Sequence, residues 1–182
     1  EALVKLSSLV SPEEVVEVFF RRVRIERVEK VISTLISALG RICQSDRLLE
    51  LEDFLESKDD RIVANTIEAL AQLRNPRAAD LVLPKLGSRN NRVKANAAIA
   101  LFSAGHIGVI DNLKPMCLHS DPSMRSSAAF ALGELAQNAQ SEKLAQKLKS
   151  KELGAQHLMA ELQACVPMLV ALLKDSHLMV RK

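Results

Sequence analysis

The dipeptide Ala-Leu stands at positions 38/39, 69/70, 100/101 and 131/132, a constant step of 31 residues. A period of this size marks a chain assembled from copies of one small supersecondary unit. Such a unit cannot bury its apolar face alone and must stack on its neighbours. The copies extend well beyond the dipeptide. Asp121-Pro122-Ser123-Met124-Arg125-Ser126-Ser127-Ala128-Ala129-Phe130-Ala131-Leu132-Gly133-Glu134-Leu135 aligns with stretches opening at Asn90 and Asp59. One further step back reaches Val28, with Val31, Leu35, Ala38 and Leu39 in register.

Within each copy the apolar residues recur at helical spacing, as in Ile62, Ile67, Leu70 and Leu73. Asp59, Asn90 and Asp121 precede these runs as N-caps, and Pro122 suits a first helical turn. A break follows each run, at Gln44-Ser45, Asn75-Pro76, Gly105 to Gly108 and Gln140-Ser141. Ser45, Asn75 and Ser141 are expected to cap a second helix. Those helices align at Leu51, Val82, Leu113 and Leu144, then at Leu55, Leu86, Cys117 and Leu148. Pro84 and Pro115 occupy equivalent mid-run positions, so each second helix should start late or bend there.

The pattern Asp-Pro-x-apolar-Arg-x-x-Ala-Ala-x-Ala-Leu-Gly-x-Leu resembles the HEAT repeat, in the short form of phycobilisome-lyase-like repeats. The resemblance runs from Val28 to about Ser150. It implies an all-α chain, an α-solenoid of stacked antiparallel helix hairpins wound into a right-handed HEAT-like superhelix. First helices would lie on the convex side and second helices on the concave side. The expected organisation is one domain over 1–182. Irregular leading helices fill 1–27, four 31-residue repeats fill 28–150, and a degenerate repeat with the start of another fills 151–182. The chain is expected to be a fragment of a longer protein.

Four features depart from the pattern. Gly40, Ala71 and Gly133 are small where the third copy has Phe102, and Ile42, Leu73 and Leu135 are large where it has Ala104. This reads as a volume-conserving change in the core. An Asp and an Arg often pair between adjacent repeats of this kind, but the Arg position reads Ile32, Val63, Lys94 and Arg125, so no continuous ladder is expected. Asp175 to Arg181 looks like another repeat start, with Arg181 matching Arg125, and two helical runs, Glu152 to Ala164 and Val166 to Lys174, should precede it. Near the N-terminus, Ser11-Pro12-Glu13-Glu14 is a helix start with Ser11 as cap, and either one long helix or a turn near Arg24 to Arg27 follows.

The chemistry of catalysis is missing. The four histidines, His106, His119, His157 and His177, have neither metal-ligand spacing nor a following Glu. The His-Glu pairs of di-iron hydroxylases with HEAT-like repeats are therefore lacking. Trp and Tyr are absent, against the aromatic grooves of DNA-alkylation glycosylases and chromophore lyases of the same fold. There is no phosphate loop and no nucleophile elbow. The cysteines Cys43, Cys117 and Cys165 are far apart, which suits buried thiols in a reducing, cytoplasmic setting rather than a zinc or redox motif. No catalytic residue, metal or cofactor is expected, and no run of about 18 apolar residues suggests a membrane span. The Arg21-Arg22-x-Arg24 cluster beside Phe19-Phe20 is balanced by nearby glutamates and reads as an ordinary amphipathic helix.

Net charge is only +3, from 25 basic and 22 acidic residues, but its layout is uneven. Asp46 to Asp60 is strongly acidic, while Lys85, Arg89, Arg92, Lys94, Lys114 and Arg125 face only Asp111 and Asp121. The expected function is a protein–protein interaction scaffold or adaptor binding a macromolecular partner, an acidic protein or peptide, on the concave helical surface. The candidate partner-binding residues are Lys85, Arg89, Arg92, Asn112, Lys114, His119, Lys143 and Lys147. Nucleic acid is disfavoured because no aromatics interleave for stacking. The alternative is a lyase-like or modifying-enzyme subunit built on the same repeats.

Overall fold

The computed structural model describes residues 11–44, 47–73, 75–139 and 152–181. Ten α-helices occur among them, and no strand. In order they are α1 (Pro12–Ile25), α2 (Glu29–Ile42), α3 (Leu48–Glu52), α4 (Asp60–Gln72), α5 (Arg77–Val82), α6 (Asn91–Ser103), α7 (Ile110–Cys117), α8 (Pro122–Ala139), α9 (Glu152–Leu173) and α10 (Leu178–Arg181). Short 3-10 segments, Asp53–Glu56, Leu83–Gly87 and Ile107–Val109, extend or precede the short second helices. The helices α2, α4, α6 and α8 open at positions 29, 60, 91 and 122, each 31 residues after the last. The chain forms two compact units, one up to Val82 and one from Leu83.

In the first unit α2 packs along α4, α1 packs on α2, and α3 with its 3-10 extension packs on α4. The core is Phe19, Phe20, Ile36, Leu39, Leu51, Ile67 and Leu70, all essentially without solvent contact. The small residues of the motif have a direct use here. A Cβ added to Gly40 would stand 2.5 Å from the Ala69 Cα, so α2 and α4 touch backbone to backbone at this point. Asn65 ties the same pair polar-side: its Nδ2 donates to the Ser33 carbonyl at 3.0 Å and to the Ser33 hydroxyl at 2.7 Å.

The break between α1 and α2 falls at Glu26 to Val28, where the expected turn lies. The Glu26 carboxylate makes it, accepting from the Arg27 and Val28 amides at 2.8 and 2.9 Å. Those amides hold its carboxyl below the usual range. Ser11 differs from expectation. It stands at the N-cap position, but its hydroxyl donates to the Glu13 carboxylate at 2.8 Å instead of accepting a backbone amide. A first-turn carboxylate is the stronger acceptor for that proton. Phe19 and Phe20 are buried, and Arg47 and Arg24 stack over Phe20 at 4.8 and 5.9 Å from the ring centre. Arg47 also reaches Glu17 at 2.8 Å and pairs with Glu50, so the basic and acidic runs of this unit are partly spent on each other.

In the second unit α6 packs along α8, α7 covers α8, α9 lies against α7 and α8, and α10 packs on α8 and α9. Leu101, Phe102, Ile110, Leu113, Leu132 and Leu135 form its core. Phe102 is fully buried, so it is a packing residue and not a recognition aromatic. Ala104, at the C-cap of α6, is exposed. The helix ends in a Schellman motif: the His106 amide donates to the Leu101 carbonyl and the Gly105 amide to the Phe102 carbonyl. Gly105 has φ 104°, a conformation that other residues rarely adopt.

The two prolines act differently. At Pro84 the chain passes from α5 into the 3-10 segment, whereas Pro115 stays inside α7. The two runs expected over 152–174 are instead the single helix α9, which continues through Pro167. Leu158, Cys165 and Leu172, spaced by seven residues, are buried on one face and hold both halves in line. One lost backbone hydrogen bond at Pro167 does not outweigh that continuous apolar seam.

Candidate functional site

The candidate residues gather in the second unit, and the α-helix starts decide which of them carry free charge. Asp59, Asn90, Asp121 and Asn75 all act as caps. Asp59 accepts from the Arg61 amide at 2.8 Å, Asn90 from the Arg92 and Val93 amides at 2.9 and 3.1 Å, Asp121 from the Ser123 amide at 2.8 Å, and Asn75 from the Arg77 amide at 3.0 Å. Ser45 and Ser141 lie outside the described residues.

Arg61 and Arg92 are equivalent by the 31-residue step but differ in circumstance. The Arg61 guanidinium is held by the Asp59 carboxylate at 2.6 Å. That hydrogen bond brings the Asp59 carboxyl down to about 2. At the next helix the cap is Asn90, a neutral amide that satisfies the same backbone amides without supplying charge. Among the described residues no carboxylate lies within ion-pair distance of Arg89, Arg92 or Lys94. Arg89 and Arg92 are exposed, and Lys94 is half-buried. Asn91, between them, is turned inward and donates to the Ser123 carbonyl at 3.2 Å and the Ser127 hydroxyl at 2.7 Å, which fixes this helix start against α8. Lys85 is half-buried on the preceding 3-10 segment.

Other candidates are committed elsewhere. Lys114 on α7 bridges Asp111 and Glu161, each at 2.7 Å, and the two carboxylates raise its pKa. Its charge is therefore largely balanced within the fold. Its second acid arrives from α9, 47 residues on, in the stretch where the repeat register is lost. The His119 ring Nδ1 accepts from the Asp121 amide at 3.0 Å, so the side chain organises the turn before α8. Asn112 is half-buried on α7. Lys143 and Lys147 lie outside the described residues.

Arg125 shows a pairing that the repeat pattern signalled only in outline. Its Nε and Nη2 grip the Asp175 carboxylate at 2.6 and 2.9 Å, and its Nη1 donates to the His119 and Ser120 carbonyls at 2.8 and 2.9 Å. Arg181 donates to the Asp175 and Ser176 carbonyls in the same offsets, so 175–181 repeats the geometry of 119–125. Arg125 first, then the His177 amide, holds the Asp175 carboxyl at about 2, down from an ordinary 3.8. Because the folded value is depressed, the clasp stabilises the second unit above the ordinary value and is lost as pH falls from about 4 towards 2. Protection of the Val180 amide against hydrogen exchange, relative to its intrinsic rate at each pH, is expected to fall across that window. The Asp175→Asn variant is expected to have low protection at pH 6 already and to show no acid step; an unchanged acid step in it would assign the loss to other groups.

Among the described residues no three His, Cys, Asp or Glu side chains converge to hold a metal ion, and no helix is long and apolar enough to cross a membrane. Stacked helix pairs with capped starts, a backbone-close Gly/Ala crossing and inter-hairpin Asn and Arg ties define a helical-hairpin repeat protein. Residues 26–101 match the family of HEAT repeats. Over that stretch the chain is similar to HEAT repeats. The chain is also similar to an engineered protein of known crystal structure at 18% identity and a TM-score of 0.36, covering 99% of this chain and 91% of that one. No curated protein matches the sequence. HEAT repeats generally serve as protein-interaction scaffolds.

Proposed function

We propose that this chain is a non-catalytic protein-interaction module that engages an acidic segment of a partner protein through Arg89, Arg92 and Lys94. The observation that carries this reading is the exchange of Asp59 for Asn90 between equivalent helix caps. It leaves Arg92 without the acid that neutralises Arg61. Arg89 adds a second exposed guanidinium within one turn of chain, and Arg is the side chain best suited to bidentate capture of carboxylates. Lys85 lies just before this region in sequence, and the proposal extends to it and to the second-helix residue Asn112; Lys114 is left out of the binding set. The repeats are proposed to divide the chain as 28–150, with leading and trailing segments on either side. The free thiols favour a reducing compartment, the cytoplasm.

The test compares partner capture from native lysate by the wild-type chain, by Arg89→Glu/Arg92→Glu, and by Arg61→Glu. The double reversal is expected to reduce the capture of a specific partner at least ten-fold and to flatten its dependence on salt, while leaving the thermal unfolding midpoint within about 2 °C. The Arg61 variant is expected to retain the partner. Equal capture by the double reversal and the wild type would remove the basic helix start from the function.

A further inference from the structure

Two of the three cysteines sit on facing helices of the second unit. Cys117 is the last residue of α7, Cys165 lies midway along α9, and both are almost fully buried. The register of these helices is set by the Lys114–Glu161 ion pair at 2.7 Å. Cys117 follows Lys114 by three residues and Cys165 follows Glu161 by four, so each thiol lies one helical turn from its partner in the ion pair. Cys165 is close enough to Cys117 to act on its thiol electrostatically, and Lys114 and Glu161 act on Cys165 in the same way, so the two thiols neighbour each other beside the pair. Burial pushes the Cys117 thiol up to about 11, and the adjacent Cys165 adds to the rise. Burial likewise raises Cys165. Cys165 also lines an apolar groove between α8 and α9, with Leu132, Ala136, Leu162, Val166 and Leu169.

We infer that Cys117 and Cys165 are a redox pair that closes reversibly into a disulfide across the α7–α9 seam. With hydrogen peroxide as oxidant, two S–H bonds and the O–O bond break and one S–S bond forms. The sulfurs are oxidised, and the peroxide leaves as two molecules of water. A dithiol reductant reverses the change by exchange, taking up the oxidation as its own disulfide. Closure requires the two Cα atoms to come within about 7 Å, so the bond itself reports the register argued above. It closes a loop of roughly 50 residues and constrains the unfolded chain accordingly. Its residues are separate from those proposed to meet a partner, so either idea can fail alone.

The experiment uses the Cys43→Ser chain, in which only the two seam thiols remain. The folded protein is treated with hydrogen peroxide, denatured, alkylated and weighed intact. The expected result is a mass lower by two hydrogens, no alkylation, one cross-linked peptide joining the α7 and α9 cysteines, and full reversal by dithiothreitol. The thermal midpoint of the oxidised form is expected to rise by roughly 5–10 °C. Cys117→Ala in the same background should show neither effect. Wild-type protein treated in parallel should alkylate at Cys43 alone, which keeps the test decisive if the serine variant does not fold. Alkylation of both seam thiols after oxidation, a sulfinic acid at either, or a cross-link between molecules would overturn the inference.

Discussion

Replacing Gly40 by Leu is expected to cost the first unit at least about 3 kcal/mol, enough to lower its urea midpoint sharply or leave it unfolded. The cause is the crossing of α2 on α4. A Cβ at residue 40 would meet the Ala69 Cα at 2.5 Å and the Ala69 Cβ at 2.7 Å. The obstacle is backbone, so no rotamer change can relieve it, and the helices must separate along a seam that includes Leu39 and Leu70. Even Gly40→Ala is expected to destabilise, although Ala is favoured over Gly in a helix by about 1 kcal/mol. Adding Ala69→Gly should recover only part of the loss, because the main chain at residue 69 still blocks the added methyl. A comparison at Gly133 separates packing from propensity: a Cβ there meets nothing within 4 Å, so Gly133→Ala should stabilise slightly. Destabilisation of equal size at both positions would refute the close-approach account.

Truncating Phe102 to Ala is expected to cost about 3–5 kcal/mol in the second unit, read from denaturant unfolding. Phe102 has no solvent contact and belongs to the same core as Leu101, Leu132 and Leu135, which are equally enclosed. The sequence suggested that a large residue at 102 and a small one at 104 trade volume within one core. The structure limits that view, since Ala104 is exposed at the helix end while the equivalent Leu73 is buried. Adding Ala104→Leu to the truncated variant should therefore restore less than about 1 kcal/mol, because a surface side chain cannot fill a core cavity. Full restoration would show that position 104 does reach the core.

The legibility of this fold in its sequence follows from locality. Helix starts at Asp59, Asn90 and Asp121 could be read because a cap acts on amides two or three residues away. The buried Leu39, Leu70, Leu101 and Leu132 could be read because periodicity is itself a short-range signal. Ser11 failed as a side-chain cap because the nearby Glu13 carboxylate engages its hydroxyl instead. The continuity of α9 is hidden because no local signal joins the runs on either side of Cys165, whereas the buried seam through Leu158, Cys165 and Leu172 carries the helix across that point and on through Pro167. The candidate site was half legible. Arg89 and Arg92 stand out as exposed cations, but the commitment of Lys114 depends on Glu161, which no local pattern brings near. The significance of Asn90 lies in a comparison between copies, visible only once Arg61 is seen gripping Asp59.

The principal helix pairings, α2 with α4 and α6 with α8, join segments only one repeat apart in the chain. Their formation thus requires closing loops of about thirty residues, and the entropy of closure grows only slowly with loop length. A topology of such short-range closures lowers the barrier between the unfolded chain and the native packing. Each unit should refold within milliseconds after dilution from denaturant. Further repeats of the same kind would add to the amount of structure without adding to the time needed to form it.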